Sequence, residues 1–274
     1  MNRTSVPLAA FLLAACLAAA GCSRWSETDT GSFRVVHNNG GRTLAYAPAS
    51  GVKLVTENRF AFKDLNQSGA LDPYEDWRLP ARERARDLAA RMTIEQIAGL
   101  MLYSSHQAVP APDLTEDQVR FLREDNVRHV LVTSIADPET AAGWNNNLQA
   151  LCESVPPGIP ANVSSDPRHL PVADAEYNAG AGGRISMWPS SLGMAAAFDP
   201  GLVREFGSIA AREYRALGIA TALSPQVDLA TDPRWSRVSG TFGEHPRLAA
   251  DLARAYVDGF QTSTGAEEIE EGWG

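Results

Sequence analysis

Cysteine is scarce in this sequence, and long apolar runs occur only at its start. The chain has 3 cysteines in 274 residues, at Cys16, Cys22 and Cys152. The first 22 residues, MNRTSVPLAAFLLAACLAAAGC, place a positive charge at Arg3 before an apolar run that ends in small residues and cysteine. This order is typical of a secretion signal. The run is too short and too rich in alanine for a membrane span.

Two cysteines compete as the end of this signal. LAAAGC, ending at Cys22, resembles a bacterial lipoprotein processing box, and LLAAC, ending at Cys16, is the competing match. We favour Cys22, because the polar stretch SRWSETDTGS that follows it is typical of a flexible tether; an ordinary cleaved signal is the other alternative. The sequence predicts a signal peptide over 1–21 and a protein secreted across the inner membrane. It would be lipid-anchored at Cys22 and periplasmic or outer-membrane.

A lipidated Cys22 leaves Cys152 as the only cysteine of the mature chain. An internal disulfide is then excluded even in an oxidising compartment. We expect Cys152 to be a small buried residue, because a nucleophilic role would need a histidine partner that the sequence does not indicate.

The sequence also lacks a run rich in lysine and arginine. Its 24 basic and 33 acidic residues give a formal charge of -9, and 44% of its residues are hydrophobic. A chain without a basic stripe is a poor ligand for phosphate backbones, so we expect no nucleic-acid partner. The composition is that of a globular protein with one large core or two small ones.

The segment 22–58 is interpreted as a tether and a short β preamble. FRVVH and TLAYA flank the turn signal NNGG, and VKLV and FAF follow. A helix is predicted from Pro80, with an apolar face formed by Ala81, Ala85, Leu88, Ala89 and Met92. Thr93 and Gln96 form a capping box for a second helix. That helix should turn inward Ile94, Ile97, Ala98 and Met101.

Strands then alternate with helices. Strands are predicted over 129–135, 159–164 and within 219–229, and the helices run from Asp137 to about Glu153, from the cap Asp199 to the stop Gly218, and from about Pro246 to Gln261. Such alternation indicates parallel βαβ units with right-handed crossovers. Three units do not close a barrel and leave strand edges that need cover, so the chain reads as incomplete.

The stretch DLNQSGALDPYE, residues 64–75, has the residue order of a calcium-binding loop. Oxygen ligands fall at alternate positions, and Gly69 permits the sharp turn. The predicted ligands are Asp64, Asn66, Ser68, the Ala70 carbonyl, Asp72 and Glu75. NRFAF before the loop is not helical, which favours a structural Ca²⁺ clip over a sensor; an Asx-rich turn satisfied by its own backbone is the alternative.

Two loops after predicted strands carry the chemistry-bearing side chains. SSDPRH supplies Asp166, Arg168 and His169, and TDPRWSRVSGTFGEHP supplies Asp232, Arg234, Trp235, Arg237 and Glu244. In parallel α/β folds, functional groups gather where strands end. Asp166 and Arg237 suit a clamp on sugar hydroxyls, and Trp188 or Trp235 suits an apolar sugar face. By residue type alone, turn, ion-pair and core roles remain open.

Several separated blocks resemble glycoside hydrolase family 3, the β-glucosidase family. They are FKDLNQSGALDPYEDWR, IPANVSSDPRH, ISMWPSSLGMAAAFDP and REYRALGIATALSPQVDLATDPRWSRVSGTFGEHP. The resemblance implies that 59–274 is the N-terminal part of a (β/α)8 TIM-like barrel, with no cofactor needed for chemistry. It matches Asp166 and Arg237 to residues that bind the non-reducing-end sugar of an oligosaccharide substrate.

Two departures from the family pattern affect the expected site. Where the family commonly has Gly-Arg and then a glutamate three residues on, this chain has Ser236, Arg237 and Gly240, and Glu244 and His245 replace a usual Glu-Asp pair. The resemblance implies that the nucleophile and the acid/base residue lie beyond Gly274, so no catalytic residue is named here.

The leading hypothesis is a retaining, exo-acting β-glycosidase of the β-glucosidase type, acting on O-glycosyl bonds of β-linked oligosaccharides. The chain would be an N-terminal fragment of this enzyme and inactive alone. The alternative is a non-catalytic, calcium-stabilised surface lipoprotein that binds carbohydrate.

Overall fold

The structure is a computed structural model that describes residues 23–103, 107–171 and 184–261. The predicted signal peptide and Cys22 lie outside the described residues. The chain divides into two compact units. Of the described residues, the first unit holds 23–92 and 153–158, and the second holds 93–103, 107–152, 159–171 and 184–261.

The first unit opens with an antiparallel sheet in which β1 (Trp25–Asp29), β2 (Arg34–Asn38) and β3 (Leu44–Tyr46) lie in that order. The predicted β preamble is confirmed. The prediction of a flexible tether is wrong for residues 25–29, because β1 pairs with β2 along all five of its residues. Its polar side chains are mostly exposed, and Glu27 binds Arg34 across the strands at 3.0 Å. Backbone pairing and this cross-strand ion pair hold an edge strand that has no apolar pattern.

A hairpin and a helix complete the first unit. Strands β4 (Lys53–Glu57) and β5 (Phe60–Asp64) pair antiparallel, and Trp77 stacks on Phe62 of β5 with ring centroids 5.2 Å apart. Helix α1 (Ala81–Arg91) is present as predicted, but none of its residues is buried. Polar contacts hold it instead: Arg91 of α1 binds Asp72 at 2.8 Å.

The second unit is built on a parallel sheet of four strands in chain order. They are β6 (Gln107–Ala108), β7 (His129–Val132), β8 (Asn162–Ser165) and β9 (Thr221–Ala222). The helices of this unit are α2 (Ile94–Met101), α3 (Glu116–Arg123), α4 (Pro138–Glu153), α5 (Ser191–Ala195), α6 (Pro200–Ala216) and α7 (Pro246–Gln261). Parallel βαβ units are confirmed. Sequence analysis missed β6, α3 and α5. The two residues of β6 and the five of α5 are too few for a clear hydrophobic period. Helix α3 is as long as α2, and its capping box at Thr115 and Gln118 is a sequence signal that could have identified it.

One face of the parallel sheet packs against α4. Val130, Val132 and Val163 from the strands meet Trp144 and other buried residues of that helix. Cys152 lies in the same core and is fully buried. The expectation of a small buried residue is therefore confirmed, and burial raises the pKa of the Cys152 thiol to about 11.

Helix α2 begins as predicted, but its apolar side chains are exposed. Thr93 and Gln96 form the expected capping box. Ile94 and Met101, by contrast, are 71% and 79% exposed. The prediction that Ile94, Ile97, Ala98 and Met101 point inward is therefore wrong. Helical periodicity identifies an apolar face, but it does not identify a partner that covers the face.

Helices α6 and α7 pack together at a pair of glycines. A Cβ on Gly259 would lie 2.3 Å from the Arg204 carbonyl oxygen, and one on Gly207 would lie 2.7 Å from the Tyr256 carbonyl oxygen. The predicted ends of α6 are confirmed. Asp199 accepts a hydrogen bond from the Gly201 amide at 2.8 Å, and Gly218 has φ +82°. The close approach at Gly207 and Gly259 brings α6 and α7 together beside β9.

Candidate functional site

The loops that follow β8 and β9 line one cavity of about 370 Å³. The two strands are neighbours in the parallel sheet, with Ser165 beside Ala222, so both loops leave the sheet at the same end. Asp166 comes from the first loop and Arg237 from the second. The two residues that sequence analysis selected for sugar binding thus lie in one cavity.

Charge in the described lining of this cavity comes from three side chains. Asp166 supplies its only carboxylate, and Arg168 and Arg237 supply two guanidinium groups. Arg168 Nη2 lies 3.3 Å from Asp166 Oδ2, so these two groups are paired. Further polar lining comes from Ser190, Ser191, Ser224, Gln226, Ser236 and Ser239. Hydroxyl, amide and charged groups around a small cavity form a site for a ligand with many hydroxyls.

Tyr256 of α7 is the aromatic residue of the cavity wall. Neither Trp188 nor Trp235 is part of the lining, so the predicted tryptophan face for a sugar is not found there. Burial raises the pKa of the Tyr256 hydroxyl, and the negative charge of Asp166 acts in the same direction. Tyr256 is therefore a neutral phenol at physiological pH. Its sequence signal was that of a core residue on the inner face of a helix, which hid its place in the cavity.

The other candidate residues of the two loops lie away from the cavity lining. Asp232 and Arg234 form an exposed ion pair at 2.7 Å. His169 is 2% exposed, and its Nε2 lies 2.9 Å from Glu213 Oε2 of α6. Burial lowers the pKa of His169, against the raising effect of the Glu213 carboxylate. Glu244 is likewise absent from the lining.

A second cavity, of about 490 Å³, lies along β9 between α6 and α7. Its described lining holds no carboxylate, and Tyr214, Tyr256, Val257 and Phe260 make much of it apolar. An apolar wall without an acid suits a sugar poorly, because each buried hydroxyl needs a hydrogen-bond partner. The smaller cavity with Asp166 is therefore the candidate active site.

Residues 92–269 match the glycosyl hydrolase family 3 N-terminal domain. The chain belongs to glycosyl hydrolase family 3. It is 44% identical over 220 residues to a periplasmic β-glucosidase/β-xylosidase of Dickeya chrysanthemi, which covers 77% of this chain and 33% of that protein. It is 39% identical over 204 residues to β-glucosidase C of Emericella nidulans, covering 72% of this chain and 32% of that protein.

A solved structure shares the fold of this family 3 chain. The structure of a β-glucosidase from Erythrobacter marinus superposes with a TM-score of 0.54 at 30% sequence identity. The match covers 69% of this chain and 24% of that one. The chain spans about a third of the length of the curated relatives named above.

Gly240, one departure from the usual family 3 pattern, has a structural consequence in the cavity. A Cβ at this position would lie 2.9 Å from the Gln226 side-chain oxygen. Gln226 Nε2 in turn donates to the Arg237 carbonyl at 3.3 Å. Gln226, from the same loop, therefore contacts the Arg237 backbone and would have to shift to admit a Cβ at position 240.

The calcium-like loop of this family 3 chain brings its predicted ligand side chains together in the first unit. Asp64 accepts hydrogen bonds from the Ser68 and Gly69 amides, both at 2.9 Å. Glu75 accepts from the Leu65 amide at 2.7 Å and the Asp72 amide at 3.0 Å. This is the internal satisfaction expected of an Asx-rich turn.

Asp72, at the ninth position of the loop, binds donors on both oxygens. Asn66 Nδ2 donates to Oδ2 at 2.7 Å, and Arg91 Nη2 lies 2.8 Å from Oδ1. Across the described residues, no group of three or more histidine, cysteine or acidic side chains is arranged as a metal site. Calcium occupancy of the loop therefore stays a prediction.

No helix in the described part of the chain is both long and apolar enough to span a bilayer.

Proposed function

We propose that the cavity binds the non-reducing-end sugar of a β-linked oligosaccharide in a retaining, exo-acting β-glycosidase of the β-glucosidase type. The observation that carries this proposal is the placement of Asp166 and Arg237 in one cavity at the ends of adjacent strands. Family membership supports hydrolysis of glycosidic bonds, and the names of the relatives support β-glucosides or β-xylosides. The consecutive order of the four parallel strands supports the first part of a TIM-like barrel.

The lining suits sugar recognition through charged hydrogen bonds. Asp166 accepts from hydroxyl groups, and Arg237 donates to the oxygens of the same ring. A hydrogen bond to a charged group contributes about 1.5–3 kcal/mol, and more is lost when a buried partner is left unpaired. The cavity volume of about 370 Å³ falls in the usual range of about 300–1,000 Å³ for small-molecule sites.

A retaining mechanism also needs a nucleophilic carboxylate and an acid/base carboxylate about 5–5.5 Å apart. Asp166 is the only carboxylate in the described lining, and its pairing with Arg168 suits ligand binding. We therefore assign Asp166 to substrate binding and assign neither catalytic carboxylate. The proposed chemistry uses carboxylates alone and requires no metal or cofactor.

The proposed location is outside the inner membrane, with the protein held by lipid on Cys22. The signal-like start of the sequence supports export. The relative from Dickeya chrysanthemi is a periplasmic protein by name. The proposed partners are the oligosaccharide substrate and the membrane that receives the lipid.

Calorimetric titration with methyl β-D-glucoside tests the binding part of this proposal. We expect saturable binding that Asp166→Ala reduces by about a hundredfold, as for the loss of two charged hydrogen bonds. Asp232→Ala is the matched control, because Asp232 is an exposed aspartate of the other loop, outside the lining. No binding by the unchanged chain, or equal losses in both variants, would overturn the assignment.

Turnover of aryl β-glucosides and β-xylosides by the same protein tests the catalytic part of the proposal. Glycoside release that depends on Asp166 supports the enzyme over the non-catalytic carbohydrate-binding lipoprotein. Binding without release is the expected result for both, because neither catalytic carboxylate is assigned within the described lining.

A further inference from the structure

One carboxylate, that of Glu213 on α6, receives hydrogen bonds from two stretches of the connection between β8 and α5, residues 166–171 and 184–190. His169 Nε2 lies 2.9 Å from Glu213 Oε2. The Ser186 amide donates to Oε1 at 2.7 Å, and the Ser186 hydroxyl donates to Oε2 at 2.8 Å. Because a carboxylate only accepts, neutral His169 must carry its proton on Nε2. Glu213 therefore connects the loop after β8 to the chain segment that leads into α5.

The two stretches of the β8–α5 connection are also joined to each other directly. The Trp188 amide donates to the His169 carbonyl oxygen at 2.7 Å. Its indole Nε1 donates to the Ser186 hydroxyl at 2.9 Å. Trp188 thus closes a ring of hydrogen bonds that runs from Glu213 to His169, to Trp188, to Ser186 and back to Glu213. We call His169, Ser186, Trp188 and Glu213 the loop network.

Packing encloses the loop network. The His169 ring lies 5.5 Å from the Tyr214 ring and 5.5 Å from the Phe206 ring, and Trp188 packs edge-on against Phe206 at 5.3 Å. His169 has φ +50°, in the left-handed region that is uncommon for residues other than glycine. Such a backbone conformation persists only where tertiary contacts determine it.

Each of the two stretches of the β8–α5 connection carries cavity residues within a few positions of the loop network. Asp166 and Arg168 precede His169, and Ser190 and Ser191 follow Trp188. The backbone at His169 and Trp188 therefore sets where these four side chains meet the cavity. None of the four residues of the loop network lies in the cavity lining itself.

We propose that Glu213 is a positioning residue that holds two stretches of the β8–α5 connection, 166–171 and 184–190, in register at the sugar cavity, acting through His169 and Ser186. The proposal rests on the sugar-binding function proposed above. Its chemistry is a fixed acceptor for three hydrogen bonds in a packed site, which preorganises Asp166 and Arg168 before the ligand arrives.

Glu213→Leu removes the acceptor and keeps a side chain of similar size. We expect the dissociation constant for methyl β-D-glucoside to rise about tenfold or more, since a misplaced loop weakens contacts with the ligand. Hydrogen exchange at the Trp188 amide should become faster, because its acceptor is the His169 carbonyl. The Ser186 amide is less informative, since the substitution removes its acceptor in any case.

Glu213→Gln should restore part of the affinity and of the slow exchange. The glutamine oxygen accepts from the Ser186 amide, and the glutamine amide donates to His169 once the ring takes the other tautomer. That tautomer places a proton on the buried Nδ1, which has no hydrogen-bond partner, so the restoration is partial. Nitrogen chemical shifts of His169 therefore report the mechanism: Nε2 protonated in the unchanged protein and Nδ1 protonated in Glu213→Gln.

Two further variants keep the test decisive. Glu205→Leu is the matched control, because Glu205 is an exposed glutamate of the same helix, and its affinity and Trp188 exchange should stay unchanged. Ser186→Ala tests the loop network if Glu213→Leu does not fold. It removes only the hydroxyl that joins Glu213 to Trp188, and it should also weaken binding and speed up exchange at Trp188.

The outcomes separate this proposal from the proposed function. If the unchanged protein binds no glucoside, the sugar-binding function fails. Hydrogen exchange at the Trp188 amide and the His169 tautomer then still decide whether Glu213 holds the two stretches of the β8–α5 connection together. If Glu213→Leu, or Ser186→Ala in its place, leaves both affinity and Trp188 exchange unchanged, the positioning role is overturned. A loss that Glu213→Gln does not restore also contradicts it.

Discussion

Asp166 and Arg237 face one cavity because their loops leave adjacent parallel strands at the same end of the sheet. Helices α5 and α6 separate the two loops along the chain, and the parallel crossover brings them back together. The relationship places one acceptor and one donor opposite a common space. Four residues outside that space, centred on Glu213, connect the first loop to the segment before α5.

Asp64→Ala should destabilise the first unit without affecting sugar binding. The residue is 3% exposed, and its carboxylate accepts from the Ser68 and Gly69 amides. Removing it takes the side-chain acceptor from the Gly69 amide, while the Ser68 amide keeps Asn66 Oδ1 at 3.0 Å. The loss of hydrogen bonds to a charged group costs about 1.5–3 kcal/mol. Thermal unfolding should show a lower Tm, while the Kd for methyl β-D-glucoside stays unchanged. A larger loss of sugar affinity than in Asp166→Ala would place the loop in the active site.

Calcium should raise the Tm of the unchanged protein and leave that of Asp64→Ala unaffected. A ligand that binds only the folded state stabilises it by about 2.7 kcal/mol at a hundredfold excess over Kd. Differential scanning calorimetry with calcium and with a chelator measures the difference. Equal Tm values for the unchanged protein would identify the loop as a turn closed by its own hydrogen bonds.

Gly259→Ala should destabilise the second unit. The added Cβ would lie 2.3 Å from the Arg204 carbonyl oxygen, so α6 and α7 must move apart, at a cost of about 1–3 kcal/mol for overpacking. Gly143→Ala on α4 is the control, because nothing lies within 4 Å of its added Cβ. There the change should stabilise the helix by about 0.5–1 kcal/mol. Urea unfolding of both variants measures the sign of each change in the free energy of unfolding. Equal changes in the two variants would contradict the close contact between α6 and α7 at Gly259.

Stability should fall as the pH drops below about 6.5, the ordinary histidine value, in part because of His169. Burial among Phe206 and Tyr214 lowers its pKa, and Glu213 is the charged group that bonds its ring. The folded state therefore favours the neutral ring, so this contribution is complete above the unfolded pKa and is lost as pH falls through the folded pKa. His169→Gln should flatten the pH dependence of Tm between pH 7 and 5.

Cys152 should be unreactive towards thiol reagents in the native protein. It is fully buried, and its pKa of about 11 leaves almost no thiolate at neutral pH. A protein carrying Cys16→Ser and Cys22→Ser isolates this thiol for titration with an aromatic disulfide. We expect labelling only after denaturation. Rapid labelling of the folded protein would show that the core around α4 opens.

Cys22→Ser should release the protein from the membrane fraction. Acyl chains supply membrane affinity at about 0.8 kcal/mol per buried methylene, so loss of the residue proposed to carry the lipid should remove the anchor. Labelling with a radioactive fatty acid, followed by fractionation, tests this. Retained label in Cys22→Ser together with lost label in Cys16→Ser would move the processing site to the earlier cysteine.

Local signals in the sequence were sufficient for much of the second unit. The capping box at Thr93, the cap at Asp199 and the stop at Gly218 were read correctly. Each depends on hydrogen bonds or backbone angles within a few residues, which the local sequence encodes. Alternating strands and helices likewise predicted the parallel sheet, because crossover length and handedness constrain the topology.

Tertiary structure decided which side chains meet. The polar segment around Trp25 became a strand only because β2 offered a partner. Ile94 and Met101 form an apolar face that remains exposed. Tyr256 and Glu213 have the sequence pattern of ordinary helix residues. Tyr256 nevertheless lines the cavity, and Glu213 joins His169 to Ser186. Such roles depend on contacts between residues that are far apart in the chain, and a local pattern does not specify which distant backbone will approach.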